Sequence, residues 1–202
     1  MEKGFVFLDE MLPGVCWDAK YATWDNFTGK PVTGYLVNRV AGTYELSAAL
    51  QKVQEQAADL GYGLLLWDGY RPQRAVECFL RWAAQKEDYL TKDKHYPHID
   101  RRAMIEEGYV AKKSAHSRGS TVDLTLYRLK DFELLDMGGS FDFMDSLSHH
   151  GAQGISSEAA NNRRFMRSLM EKNGFAPFFA EWWHYTLKEE PYPDTYFDFP
   201  LF

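Results

Sequence analysis

The sequence predicts an α+β fold: a single domain over residues 1–202, with a mainly antiparallel sheet packed by helices. Three observations lead there. Helical and strand periodicities are interspersed without the strict β-α-β alternation of a parallel sheet. A length of 202 residues suits one ordinary domain with a sizeable core. No internal repeat or low-complexity tract divides the chain.

Residues 13–40 are rich in Gly, Pro, Asn, Asp and Thr with scattered aromatics, and predict an irregular, ordered segment containing short strands. Thr43 is placed to cap a helix over about 44–60. Its apolar positions Leu46, Ala49, Leu50, Val53, Ala57 and Leu60 recur at helical spacing, and Gly61 ends it. Tyr62–Asp68 reads as a buried strand running into the turn Gly69-Tyr70-Arg71. Pro72 suits the start of a second helix over about 73–85, with Val76, Phe79, Leu80 and Ala83 on one face.

Residues 86–99 form a polar, Pro-containing excursion, and a short helix is expected from Asp100. Thr121–Tyr127 alternates as a strand does, setting Val122, Leu124 and Leu126 on one side and Asp123 on the other. A last helix, about 157–173, closes at Gly174. A strand over Phe178–Leu187 follows, then an aromatic, Pro-rich tail.

Composition excludes several classes. A net charge of −6 without a basic tract or basic helical face argues against a nucleic-acid partner. No stretch approaches the roughly 20 apolar residues that cross a bilayer. The amino-terminal apolar run stops at Asp9 and Glu10, too early for a signal sequence, so a cytoplasmic, membrane-free protein is expected. Two distant cysteines, Cys16 and Cys78, do not make a disulfide framework.

The chemistry concentrates in two segments. Ser114-Ala-His116-Ser-Arg-Gly119-Ser-Thr-Val-Asp123 supplies an imidazole and a carboxylate, and Glu181-Trp-Trp-His184 supplies a second imidazole with a spare Glu. Two His and one carboxylate, with a base to spare, is the composition of a catalytic zinc site, so the first reading is a zinc hydrolase. The small-residue loop before Asp123 lets His116 approach the strand it feeds. The spacing leaves two readings open, a shared metal ion or a His116 hydrogen bond to a turn-capping Asp123. Glu181 and His184 fall on opposite faces of a regular strand, so joint action requires a kink or bulge between them. Asp68-Gly-Tyr-Arg71 is either an ordinary ion pair or a guanidinium steered by Asp68 into a cleft, where it holds an oxyanion. The pairs His95/His98 and His149/His150 lack such surroundings and read as structural or solvated.

The chain resembles the D-alanyl-D-alanine dipeptidases of the vancomycin-resistance (VanX) type, within the zinc D,D-peptidase family. The likeness runs the whole length, through Trp17–Thr28, Trp67-Asp-Gly-Tyr-Arg71-Pro, the Ser114–Asp123 segment, Phe141-Asp142-Phe-Met-Asp145 and Glu181-Trp-Trp-His184. The family motif S-x-H-x-x-G-x-A-x-D is met except at its Ala, where Thr121 stands on the face of Asp123. The resemblance implies the hedgehog-like core of the zinc D,D-peptidases and one Zn²⁺ per subunit on His116, Asp123 and His184. It also implies Glu181 as general base and acid and Arg71 as transition-state stabiliser. Tyr21, Ser114, Asp142 and Trp182 would then lie near the substrate, D-Ala-D-Ala, and family habit implies a homodimer. A D,D-carboxypeptidase acting on longer cell-wall precursors is the alternative enzyme. A noncatalytic zinc-stabilised binding domain is the alternative outside catalysis, and would be expected to lack Glu181 or Arg71.

Overall fold

The computed structural model describes residues 1–202. In chain order the elements are β1 (Phe5–Phe7), α1 (Leu8–Met11), β2 (Cys16–Trp17), β3 (Ala41–Thr43), α2 (Tyr44–Asp59), β4 (Tyr62–Asp68) and α3 (Gln73–Ala83). There follow α4 (Lys92–His95), α5 (Ala103–Glu106), β5 (Thr121–Arg128), α6 (Ser157–Lys172), β6 (Phe175–Pro177) and β7 (His184–Leu187). Single turns of 3₁₀ helix occur at Lys20–Ala22, Ala115–Arg118 and Ser146–Ser148.

The main sheet has the order β2-β4-β5-β7-β6, antiparallel throughout except for the short parallel pair β2–β4. The expected α+β class with a mainly antiparallel sheet is therefore what the chain forms. α2 begins where Thr43 Oγ1 accepts the Leu46 amide at 3.2 Å, and α6 where Ser156 Oγ accepts Ala159 N at 3.0 Å. Both bury their apolar stripes, Leu46, Leu50, Val53 and Ala57 on α2 and Met166, Leu169 and Met170 on α6, against the sheet and each other. Burying each such Leu or Met contributes about 1.5–3 kcal/mol relative to exposure. α3 turns Val76, Phe79 and Trp82 inward, and Phe79 meets Tyr21 and Phe27 from the irregular segment. One contiguous apolar core joins all of these except Val76, which lines the cavity described below. No helix is long and apolar enough to cross a membrane.

Three expectations need correcting. The strand expected over 178–187 is a hairpin: β6 ends at Pro177, β7 starts only at His184, and a turn lies between. Its aromatic density reflects burial of Trp182 and Trp183, not strand pairing. The small sheet β1–β3 went unforeseen, because three-residue strands carry too little periodicity to read. The excursion 86–99 contains α4, and the helix expected from Asp100 begins at Ala103.

Two glycines set the frame of the cleft. A Cβ on Gly69 would sit 2.3 Å from the Ala41 carbonyl oxygen, and Gly119, at φ +84, would drive one into the Phe5 ring at 2.2 Å. Only glycine permits these approaches.

Candidate metal and catalytic site

Three neighbouring strands assemble the site. In β5–β7 Asp123 lies directly opposite His184, and in β4–β5 it lies opposite Asp68. The second pairing depends on a bulge. Leu66 faces Leu124, so a regular ladder would set Asp68 opposite Val122; the register shift between Leu66 and Asp68 brings it to Asp123 instead. Opposed residues share a face, so Asp68, Asp123 and His184 form one row across the sheet. His116 enters that row from the 3₁₀ turn just before β5, capped where Ser114 Oγ accepts the His116 amide at 3.3 Å.

His116 Nε2 lies 3.2 Å from Asp123 Oδ2, His184 Nδ1 lies 3.2 Å from Asp123 Oδ1, and the two ring nitrogens are 3.2 Å apart. The three side chains form a triangle in which each imidazole faces a different Asp123 oxygen, and ligand atoms from all three lie within 4.8 Å of one another, close enough to share one ion. His116 Nδ1 donates to Gly69 O at 2.7 Å, which leaves the Nε2 lone pair directed at the centre. Asp123 Oδ1 is buried without a hydrogen bond. The donor set thus fits a divalent ion of the zinc type, and these three residues do group as a candidate metal cluster.

Electrostatics agree. Burial opposes charge on Asp123, but the two imidazoles outweigh it and hold the carboxyl well below its ordinary range. Burial likewise disfavours the charged form of His184, yet the Asp123 and Glu181 carboxylates beside it push it up to about 9 in the metal-free protein. Protons bound here compete with a cation for the same lone pairs.

The kink required between Glu181 and His184 is present. Glu181 N donates to Phe178 O at 3.3 Å, His184 N to Glu181 O at 3.2 Å, and Phe178 N to His184 O at 3.0 Å. The resulting turn brings Glu181 Oε2 to 3.4 Å from His184 Nδ1, at the edge of the metal triangle. Opposite it, Arg71 is clamped by Asp68 Oδ2 at 2.9 Å from both Nε and Nη2, and its Nη2 reaches within 3.6 Å of Asp123 Oδ2. The Arg71–Asp68 pair is buried, so the surface-pair reading of that motif does not hold.

These groups line a cavity of about 270 Å³. Tyr21, Ser114 and Asp142 line it too, as the resemblance implied. Tyr21 donates its hydroxyl to Asp142 Oδ2 at 2.8 Å, and Asp142 adopts φ +55. Burial, with Asp123 nearby, pushes the Asp142 carboxyl well above its ordinary value. Trp182 does not line this cavity. It is 1% exposed, packs edge-on against Trp67 and turns into a separate cavity beneath, while Trp183 takes the place on the site side. Adjacent side chains in this extended turn point opposite ways, and the expectation chose the wrong one of the two.

Sequence reading missed two supports. Tyr35 donates to Asp68 Oδ1 at 2.7 Å, and Phe79 packs with Tyr21 beside the Arg71 guanidinium, at 5.3 and 4.9 Å. Phe79 was read as a core position of α3, which it also is. Tyr35 lies in an irregular segment where no periodicity reports direction.

Convergent metal donors, a carboxylate at their edge and a clamped guanidinium, all in one small cavity, are the parts of a metal-dependent peptidase. Comparison with known proteins agrees. Residues 1–201 match the Peptidase M15 profile, described as D-ala-D-ala dipeptidase, and the chain belongs to that family. It is 66% identical to a D-alanyl-D-alanine dipeptidase of Enterococcus faecium, over the full length of both chains. The corresponding protein of Streptomyces coelicolor is 63% identical over the same span. That of Escherichia coli is 32% identical, over 91% of this chain and 84% of its own.

Proposed function

We propose that this protein is a zinc-dependent dipeptidase that hydrolyses D-Ala-D-Ala to two D-alanines. The observation that carries the chemistry is the convergence of His116, Asp123 and His184, each in contact with the other two at 3.2 Å, with Glu181 at the edge. The substrate follows from the family, and from a cavity of about 270 Å³. That is smaller than the ~300–1,000 Å³ typical of sites for drug-sized ligands.

His116 Nε2, Asp123 and His184 Nδ1 would hold the ion. When bound, zinc supplies a Lewis acid for the peptide carbonyl and lowers the pKa of a coordinated water to about 7. Glu181, partly exposed to the cavity, accepts the proton of the attacking water and returns it to the leaving amine as the C–N bond breaks. Proton transfer by a placed group contributes about 10²–10⁴-fold. Arg71 cannot swing away, because Asp68 and the flanking rings fix it, and it stabilises the oxyanion at little reorganisation cost. Asp142, backed by Tyr21, offers an acceptor for the substrate ammonium group, and Ser114 lines the same cavity.

The whole chain, 1–202, acts as one catalytic domain on free dipeptide in the cytoplasm. Removing D-Ala-D-Ala deprives cell-wall synthesis of the precursor end that glycopeptide antibiotics bind. A D-alanine release assay decides the reading. Release from D-Ala-D-Ala, lost on chelation and restored by zinc, is expected, with little release from a muramyl pentapeptide. Faster release from the pentapeptide would make the protein a carboxypeptidase, and release unaffected by chelator would remove the metal from the scheme.

A further inference from the structure

The turn that carries Glu181 is tied to the sheet at its ends, where Leu124 N donates to Trp183 O at 3.2 Å and Phe178 N to His184 O at 3.0 Å. Its backbone leans on the loop 146–150: Trp182 N donates to Ser148 O at 3.0 Å, and His150 N to Phe179 O at 2.9 Å. That loop is in turn held by one side chain from α6. Arg163 Nη1 donates to Leu147 O at 2.8 Å and His149 O at 3.0 Å, and its Nε donates to Met137 O at 2.6 Å. The carbonyls of 147 and 149 therefore face Arg163, while the carbonyl between them faces the Glu181 turn. The guanidinium carbon also lies 5.6 Å from the Trp182 ring centroid, one residue from Glu181.

Arg163 is costly to keep there. It is 3% exposed, no carboxylate lies within 4.0 Å, and burial pulls its pKa down to about 10. The other buried arginine, Arg101, and the half-buried Arg71 each have a carboxylate partner. A buried cation paired only with main-chain carbonyls contributes little net stability. It does fix backbone direction, because the rigid fork of donors meets acceptors from separate segments at once.

We propose that Arg163 is a positioning residue for catalysis: through the 147–149 carbonyls it sets the turn that aims Glu181 at the metal site. The inference rests on Glu181 being the proton-transfer group. Arg163 lies on α6, outside the cavity lining and outside the ligand set, so it acts on the site only through the backbone it holds.

The test is a double-variant comparison, with kcat from D-alanine release and zinc content measured for each protein. Arg163→Met is expected to lower kcat by about 10–100-fold with one zinc per chain retained, the range seen when support of an active group is lost. Arg163→Lys is expected to fall in the same direction, since one ammonium cannot span three carbonyls, and it serves if the methionine variant does not fold. In a Glu181→Asp background, where the carboxylate is already withdrawn, Arg163→Met is expected to cost less than about threefold, because residues acting through one another are non-additive. Met166→Ala, a core change on the same helix, is the stability control and is expected to lower the melting temperature while leaving kcat within about threefold.

A kcat within threefold of the parent for both Arg163 variants overturns the proposal. So does an equal loss in the parent and Glu181→Asp backgrounds, which would mark Arg163 as a general structural support. A Glu181→Asp protein as active as the parent would instead remove Glu181 from its role, a separate failure that the single variant reports directly.

Discussion

The two walls of the cavity are held by different means. On one side Asp68, Asp123 and His184 stand in a row on three hydrogen-bonded strands, with His116 locked to the Gly69 carbonyl. On the other, Asp142, the 146–150 loop and the Glu181 turn follow irregular backbone, braced by side chain-to-carbonyl bonds and a few amide contacts. Strand ladders place atoms to within tenths of an ångström without further help, which a metal site needs. A wall of turns places a base just as well, but only while each brace remains. The sheet wall carries the metal-binding groups and the turn wall carries the base.

That division breaks or holds under substitution. The largest expected effect is on the sheet wall. His116→Ala removes one of three ligands, and metal analysis of the purified protein should find zinc far below one per chain, with turnover lost. Full zinc in that variant would put the ion elsewhere. On the turn wall, Glu181→Ala is expected to keep its zinc and lose about 10²–10⁴-fold in kcat. If metal and turnover disappear together there too, the walls are not separable. Arg71→Lys keeps a charge but loses the two-pronged grip on Asp68 and its stacking, and is expected to cost about 10²–10³-fold in kcat/KM.

A smaller effect sharpens the comparison through pH. His184 is pushed from an ordinary value of 6.5 up to about 9 in the metal-free fold. A raised folded-state pKa stabilises fully below the unfolded value and loses that contribution as pH rises through the folded one. The melting temperature of chelator-treated protein is therefore expected to fall between pH 6.5 and 9. Asp123, held low, is ionised throughout that window and contributes no slope there. Zinc-loaded protein, whose His184 is already a neutral ligand, should not show the fall. A chelated protein that instead stabilises toward pH 9 would contradict the proton-sharing cluster. The smallest effect is expected for Thr43→Ala, which removes the α2 cap and a bond to Ser120 Oγ, at about 1 kcal/mol in denaturant unfolding.

Much of this was legible beforehand. α2 and α6 were readable because their apolar residues repeat at helical spacing, and α2 also because Thr43 stands at its start. β4 was readable because a run of apolar residues ends at Gly69. The short strands β1 and β3 and the single turn α4 were not, since three or four residues span barely more than one period of their pattern. Within the site, the need for a kink between Glu181 and His184 followed from strand geometry, whereas the choice between Trp182 and Trp183 did not. That depended on where Trp67 and Phe141 offered packing space. Thr121, the departure from the family motif, sits on the site face and meets Thr186 Oγ1 at 2.9 Å, leaving the triangle intact.

Sequence alone determined the class of fold and the identity of the reactive groups, because periodicity, capping and side-chain chemistry are local properties of a chain. Only the tertiary structure decided how those groups meet. The bulge that slides Asp68 opposite Asp123, the turn that lifts Glu181 to the edge of the triangle, and the burial of Arg163 all depend on residues far apart in sequence. Packing and hydrogen-bond registers between such segments exist only once the chain has closed on itself.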